Sequence, residues 1–422
     1  MRKIIVLALS QLLFLAACGG GSSIGGGSGT GSGSGTGVTP ANGTNAITME
    51  VNAGPNGNDA NIPFVSVTIC APGSTTNCQV INNVEVDTGS YGVRIISSAL
   101  NQSIYSALTV QTAQQGGNLV ECTQFGDGYS WGSMRVADVT LGTEKAASQS
   151  IQIIGDQDSL NNVPTACSNT GPEEDTVVAF GANGIIGLGP FVTDCGDCTQ
   201  SMESAFYWGC PSSGGGCVQT LVTEAQEATN PVASFAQDNN GVILELPALT
   251  ATGAATSSGT LVFGVGTESN NGLGSATVLS TDGSGFIDTV YKGVTYTKGF
   301  IDSGSNENFF DDQTIASCTS GTGSNAVTYY CPTSELTLTA TEEGITSSGG
   351  IGNQASVTFY VANPANLSGS FTALDNVAAP YSAALTDNTH FDFGLPFFYG
   401  RFVYTVIDNK NTSGGVGPYF AF

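Results

Sequence analysis

A chain of 422 residues, 40% of them apolar, is long enough for two core-sized units, yet it has only nine Lys and Arg against 34 Asp and Glu, one His and 58 Gly. So few cations cannot neutralise a phosphate backbone, which argues against nucleic acid as a partner. The formal charge of −25 should also keep the folded part away from anionic lipid headgroups.

At the amino terminus, Arg2-Lys3 precedes the apolar run Ile4 to Phe14 and then Leu15-Ala16-Ala17-Cys18. This is an export signal, too short to span a bilayer, and assigns residues 1–17 to a signal peptide. The small residues before Cys18 resemble a bacterial lipobox, which implies cleavage before Cys18 and lipidation there; several acyl chains on one residue anchor a protein stably. Gly19 after the cysteine, by resemblance to sorted lipoproteins, implies the outer membrane, on either face. Residues 18–45 are nearly all Gly, Ser and Thr and read as a flexible tether.

Beyond the tether, short alternating runs rich in Val, Ile, Thr and Phe recur between Gly, Asn, Asp and Ser clusters. AITMEV, PFVSVTI, VEVDT, MRVADVTL, SIQIIG, GVILELP, TLVFGVG, VTFYVA and RFVYTVID are the main ones. The pattern predicts an all-β protein, and the length predicts two lobes, 46–240 and 241–422. Only Ser201–Tyr207 and Asp311–Ser317 suggest short helices. With Cys18 taken by lipid, ten of the 11 cysteines remain, and an exported protein is expected to pair them. Cys70 with Cys78, Cys210 with Cys217 and Cys318 with Cys331 are plausible short-range pairs, leaving Cys122, Cys167, Cys195 and Cys198. Cys195-Gly196-Asp197-Cys198 has no βαβ context for a redox motif and reads as part of a structural bridge; connectivity stays open.

The chain is organised around Val84 to Ile95, where β-branched residues lead into Asp87-Thr88-Gly89-Ser90. It repeats this at Lys298 to Phe310, where Phe300-Ile301 leads into Asp302-Ser303-Gly304-Ser305. About a hundred residues after each motif comes a segment in which apolar residues lead into a Gly: Gly184 to Gly189 in the first half, Phe391 to Phe397 in the second. A glycine there lets one backbone segment pass close under another. Two carboxylates sharing a site repel, so the pair holds one proton over a broad acidic range. One acid then acts as base on a water while the other polarises a carbonyl. Thr88, Ser90, Ser303 and Ser305 offer hydroxyls to hold the acids, and Gly89 and Gly304 let the turns close.

In these features the chain resembles the bilobal pepsin-like aspartic peptidases, over most of residues 46–422. Asp87 and Asp302 match the two catalytic aspartates. Gln124 to Gly128, with Trp131-Gly132 and Val136 to Gly142, is similar to the flap hairpin, and Leu261 to Gly264 and Phe391 to Asp408 resemble family segments in the right order. Closer still, the whole is similar to a group of bacterial lipoproteins with a pepsin-like core. The family's flap Tyr and the Trp it bonds correspond here to Phe125 and Arg94. Arg94 either stacks on Phe125 or points to solvent, and a cation near the dyad would favour ionised carboxylates. Gly126 and Asp127 form the flap tip, where Asp127 is a polar turn residue or an attractor of a basic substrate side chain.

The resemblance implies an inter-lobe cleft with Asp87 and Asp302 at its base, a hairpin around Phe125 over it, and hydrolysis of extended polypeptide bound as a strand. It implies no metal and no organic cofactor. The competing function is a binding module that keeps the cleft and holds a protein partner. His390, the lone histidine, has no nucleophile-elbow motif to serve.

Overall fold

In the computed structural model, residues 42–156, 163–202, 206–212, 215–320 and 327–422 are described. The signal peptide, Cys18 and the tether up to residue 41 lie outside the described residues.

Alternating apolar side chains make Pro63–Cys70 and Cys78–Asp87 an antiparallel pair, with Val65, Val67, Ile69, Ile81, Val84 and Val86 turned into the core. Tyr129–Leu141 and Glu144–Ile154 form the long hairpin beside them. Ala46–Val51, early in the chain, pairs with Ser257–Phe263, which continues into Gly241–Leu246, Arg401–Val406, Tyr419–Ala421 and Val278–Ser280. The two halves are thereby joined in one continuous 16-stranded sheet. The second half adds a seven-stranded sheet that includes Val294–Ile301, Leu336–Ile345, Ile351–Val361 and His390–Phe393. Between its strands Phe310 stacks on Phe391 at 4.9 Å, with Tyr291, Phe359 and Phe393 edge-on or tilted around them. Such aromatic pairs add about 0.5–1.5 kcal/mol each beyond burial. The expected all-β, two-lobed fold is therefore what the chain adopts.

Each of the nine runs singled out in the sequence has most of its residues in a strand. The helix expected at Asp311–Ser317 is absent. Asp312 Oδ1 accepts the Thr314 N–H at 2.8 Å, a local side-chain bond that offers the backbone a turn in place of a helix, and Ser317 opens a strand. The other expected helix falls partly on residues 203–205, outside the described set, and Tyr207 begins a strand paired with Asn118–Glu121. Gln102–Ala107 is helical instead, capped by the Asn101 side chain on the Ile104 N–H. The three short-range disulfides form as expected, and Cys122–Cys167 and Cys195–Cys198 complete five.

Candidate active site

Asp87 ends its strand, whose residues Val84–Asp87 run parallel to Gly184–Gly187. The returning strand, Tyr91–Ile95, lies antiparallel on the other side of Gly184–Leu188. In the second half Lys298–Ile301 runs parallel to His390–Phe393, and Phe309 pairs antiparallel with Asp392. Each apolar-Gly segment is thus threaded between the two strands that flank an Asp turn. A Cβ on Gly187 would press on the Ser90–Tyr91 backbone, and one on Gly394 on the carbonyls of Ser305 and Glu307.

The two turns meet back to back. Thr88 Oγ1 donates to the Ile301 carbonyl at 3.2 Å and Ser303 Oγ to the Val86 carbonyl at 2.7 Å. In return the Thr88 N–H donates to Ser303 Oγ at 3.1 Å and the Ser303 N–H to Thr88 Oγ1 at 2.9 Å. Each hydroxyl gives one bond and takes one, so four buried bonds fix the register of one half on the other. The Gly89 N–H donates to Asp87 Oδ1 at 2.7 Å and the Gly304 N–H to Asp302 Oδ1 at 2.8 Å. A Cβ on Gly89 would fall 2.5 Å from the Asp302 carboxyl carbon, and one on Gly304 2.6 Å from Asp87 Oδ1. Each turn's glycine leaves room for the opposite acid.

Asp87 and Asp302 are therefore brought within hydrogen-bonding reach of each other, both fully buried. Burial first, then the charges of Asp87 and Asp392, push the Asp302 carboxyl well above the usual range. The supporting hydroxyls are not equivalent. Ser305 Oγ bridges Asp302, 3.2 Å away, and Asp392, 2.6 Å away, whereas the buried hydroxyl of Ser90 has no hydrogen-bond partner. Asp392 is a third carboxyl at the site that the sequence reading did not single out. Its signal was an acid between Phe391 and Phe393 in a strand buried on both faces.

A cavity of about 1120 Å³ opens between the halves beside this pair, bounded by Thr88, Gly89, Tyr91, Phe191, Phe300 and Asp302 among others. His390 also lines it, stacked on Tyr381 and held by Asp387 Oδ2 at 2.9 Å.

Arg94 neither stacks on Phe125 nor points to solvent. It is 1% exposed, and its guanidinium donates to Thr123 Oγ1 at 2.8 Å, the Tyr91 carbonyl at 2.6 Å, Glu121 Oε1 at 2.5 Å and Asp194 Oδ2 at 3.2 Å. Burial alone would lower its pKa, but Glu121 and Asp194 outweigh that and hold it charged. One cation cannot neutralise two buried carboxylates, and Asp194, pushed well above the usual range by burial and then by Glu121, takes up the difference by holding a proton that it shares with Glu121.

Phe125 is likewise not over the cavity. It packs edge-on against Phe180, centroids 5.5 Å apart, in a cluster with Ile62, Phe64 and Ile185. The hairpin itself is present, with Asn118–Gln124 paired to Tyr129–Leu141 and Gly126 exposed at the turn. Its tip carries Asp127 into a group of carboxyls: Asp127 acts on Glu85, Glu174 and Glu307.

A continuous sheet across two halves, a threaded glycine segment in each, and Asp turns tied back to back define the pepsin-like acid-protease class of fold. The chain matches, over residues 41–422, the sequence model of a family described as a protein of unknown function (DUF3443), and it belongs to that family. No curated protein matches it. Among solved structures it is similar to the aspartic proteinase from Irpex lacteus, with 16% identity, 89% of this chain and 96% of that chain covered, and a TM-score of 0.47.

Proposed function

We propose that the protein is an aspartic endopeptidase of the cell envelope, held by lipid on Cys18, at the outer membrane, and acting on extended polypeptide. The observation that carries this reading is the reciprocal bonding of Thr88 and Ser303, which sets the Asp87 and Asp302 carboxyls side by side at the edge of a cavity large enough for a peptide segment. Asp302, whose raised pKa keeps a proton on it, donates that proton to the scissile carbonyl oxygen. Asp87 takes a proton from the water that attacks the carbonyl carbon. Collapse of the resulting diol returns one proton to Asp302 and sends the other from Asp87 to the leaving amine.

The positions of Arg94 and Phe125 favour the enzyme over the binding module. Both departures from the family's flap are absorbed by packing and ion pairs inside the first half. The test follows cleavage of a denatured protein by the full chain from pH 3 to 7, disulfides intact, with and without pepstatin and beside Asp87→Ala. The expected result is acid-favoured cleavage that pepstatin blocks and the substitution abolishes. Cleavage that survives Asp87→Ala, or none from a folded sample, contradicts the reading.

A further inference from the structure

In a chain with nine Lys and Arg against 34 acids, each cation has many acids to choose from. Among the described residues Arg94, Arg135, Lys145 and Lys292 are paired with acids, and Arg401 donates to the Phe397 and Thr358 carbonyls. That leaves Lys298 and Lys410, which take part in no ion pair with a described residue. Both line the cavity beside the Asp pair, Lys298 exposed and Lys410 half-buried. The cations left over by the fold's own ion pairs are thus both turned toward the cavity.

Lys298 stands on the strand Val294–Ile301, which runs straight into Asp302. Side chains alternate along a strand, so Lys298, Phe300 and Asp302 share one face, and all three border the cavity. Four residues of strand set the Lys298 and Asp302 backbones about 13 Å apart, a length that an extended substrate also covers in about four residues. Phe300 lies between them, its ring 6.1 Å from that of Phe286. On the neighbouring parallel strand His390 is in register with Lys298, whose N–H donates to the Thr389 carbonyl at 2.7 Å. His390 already has Asp387 as a partner, 2.9 Å away, so the unmatched charge on this wall is the Lys298 ammonium. Lys410 reaches the same cavity from the turn after Arg401–Val406, where the Asp408 N–H donates to the Pro190 carbonyl at 2.8 Å. Asp197 and Glu224, both exposed, line the cavity from the first half, and Asp408 lines it beside Lys410. A polyanion would be repelled by these acids, whereas a single carboxylate on a peptide chain can meet a lysine without meeting them.

Resting on the peptidase reading of the Asp pair, we infer that Lys298 anchors a subsite for a carboxylate of the substrate, about three to five residues from the cut bond. Lys410 adds positive charge to the same cavity. The carboxylate is an Asp or Glu side chain or the free end of the substrate chain. Because Lys298 is exposed, the pair is a solvent-screened one, and the preference it gives is about fivefold.

The experiment has two arms on the full chain with disulfides intact. In the first, cuts in a set of denatured proteins are mapped by mass spectrometry at about pH 5, where substrate carboxylates are ionised. Asp, Glu or a chain end should be enriched about fivefold at one distance from the cut. Lys298→Gln should remove that enrichment, and Lys298→Glu should replace it with Lys and Arg at the same distance. Both substitutions are at an exposed position, so an unchanged melting temperature is expected and checked. In the second arm the Asp87→Asn variant is titrated by calorimetry with three decapeptides: one amidated with Glu at alternate positions, one amidated with Gln there, and the Gln peptide with a free carboxyl end. At about pH 6 and low salt the Glu peptide, the free-ended peptide or both should bind about fivefold tighter than the amidated Gln peptide. The gap should shrink in about 0.5 M salt and vanish when Lys298→Gln is added. A tighter Glu peptide assigns the site to a side chain, and a tighter free-ended peptide assigns it to a chain end. Cutting without enrichment, together with equal binding of the three peptides, overturns the inference and leaves the peptidase. A Lys298-dependent gap in the second arm without cutting in the first overturns the peptidase and leaves the site. An acid preference that survives Lys298→Gln overturns the inference.

Discussion

Replacing Arg94 by Met removes four donated hydrogen bonds while keeping most of the apolar stem. The loss strands Glu121 without its 2.5 Å partner, and leaves Asp194 with the Tyr207 hydroxyl at 2.7 Å as its remaining strong donor. Removing one member of a buried ion pair costs about 3–5 kcal/mol, because the uncompensated charge stays in the dry interior. At about 2–4 °C per kcal/mol that is a fall of roughly 6–20 °C in melting temperature. Scanning calorimetry at pH 7 with disulfides intact reads it. The double variant Arg94→Met with Glu121→Gln should recover part of the loss, since one stranded carboxylate is gone. A fall of less than about 2 °C, as for an exposed surface residue, refutes the buried network.

Three further outcomes follow from the same geometry. Asp392→Asn keeps an acceptor for Ser305 Oγ but removes a charge that raises Asp302, so the alkaline limb of the cleavage profile should move to lower pH, read from kcat/KM against pH. Gly394→Ala forces a Cβ onto the carbonyls of Ser305 and Glu307, and a melting temperature lowered by several degrees with cleavage lost is expected. Stability should peak near about pH 4. Burial lifts Glu342 to about 8, as it lifts Asp59 and Glu307, and the stability of such protonated groups is full below the unfolded carboxyl pKa and lost as pH rises through the folded one. Burial would also lift Asp312, but bonds from Lys292, Thr314 and Tyr291 hold it at about 2, so its contribution is lost as pH falls instead. Urea midpoints from pH 2 to 8 measure both limbs.

Asp87 and Asp302 were legible because an acid, a hydroxyl and a glycine in sequence make a turn whose chemistry is local. The threaded segments could be read as well, since Gly187 and Gly394 are required where another backbone passes. Arg94 was misread because its partners are distant in the chain: Glu121 lies 27 residues away and Asp194 100. Nothing in the local pattern distinguishes an arginine that will meet two buried acids from one that faces water. Asp392 was missed for the same reason, its bond to Ser305 spanning 87 residues. Phe125 was placed by resemblance over the cleft, and its true neighbour, Phe180, comes from a short helix with no periodicity to announce it.

In the proposed mechanism two carboxyls, one from each half, activate a single water. The most direct measurement is kcat/KM for cleavage of one denatured protein by the full chain, from pH 3 to 7, beside Asp302→Asn. The rate should fall as the pH rises through the titration of the pair, and the variant should lose on the order of 10⁴-fold, comparable to the loss of an essential proton-transfer group. A rate independent of pH, or a variant within about tenfold of the parent, contradicts it.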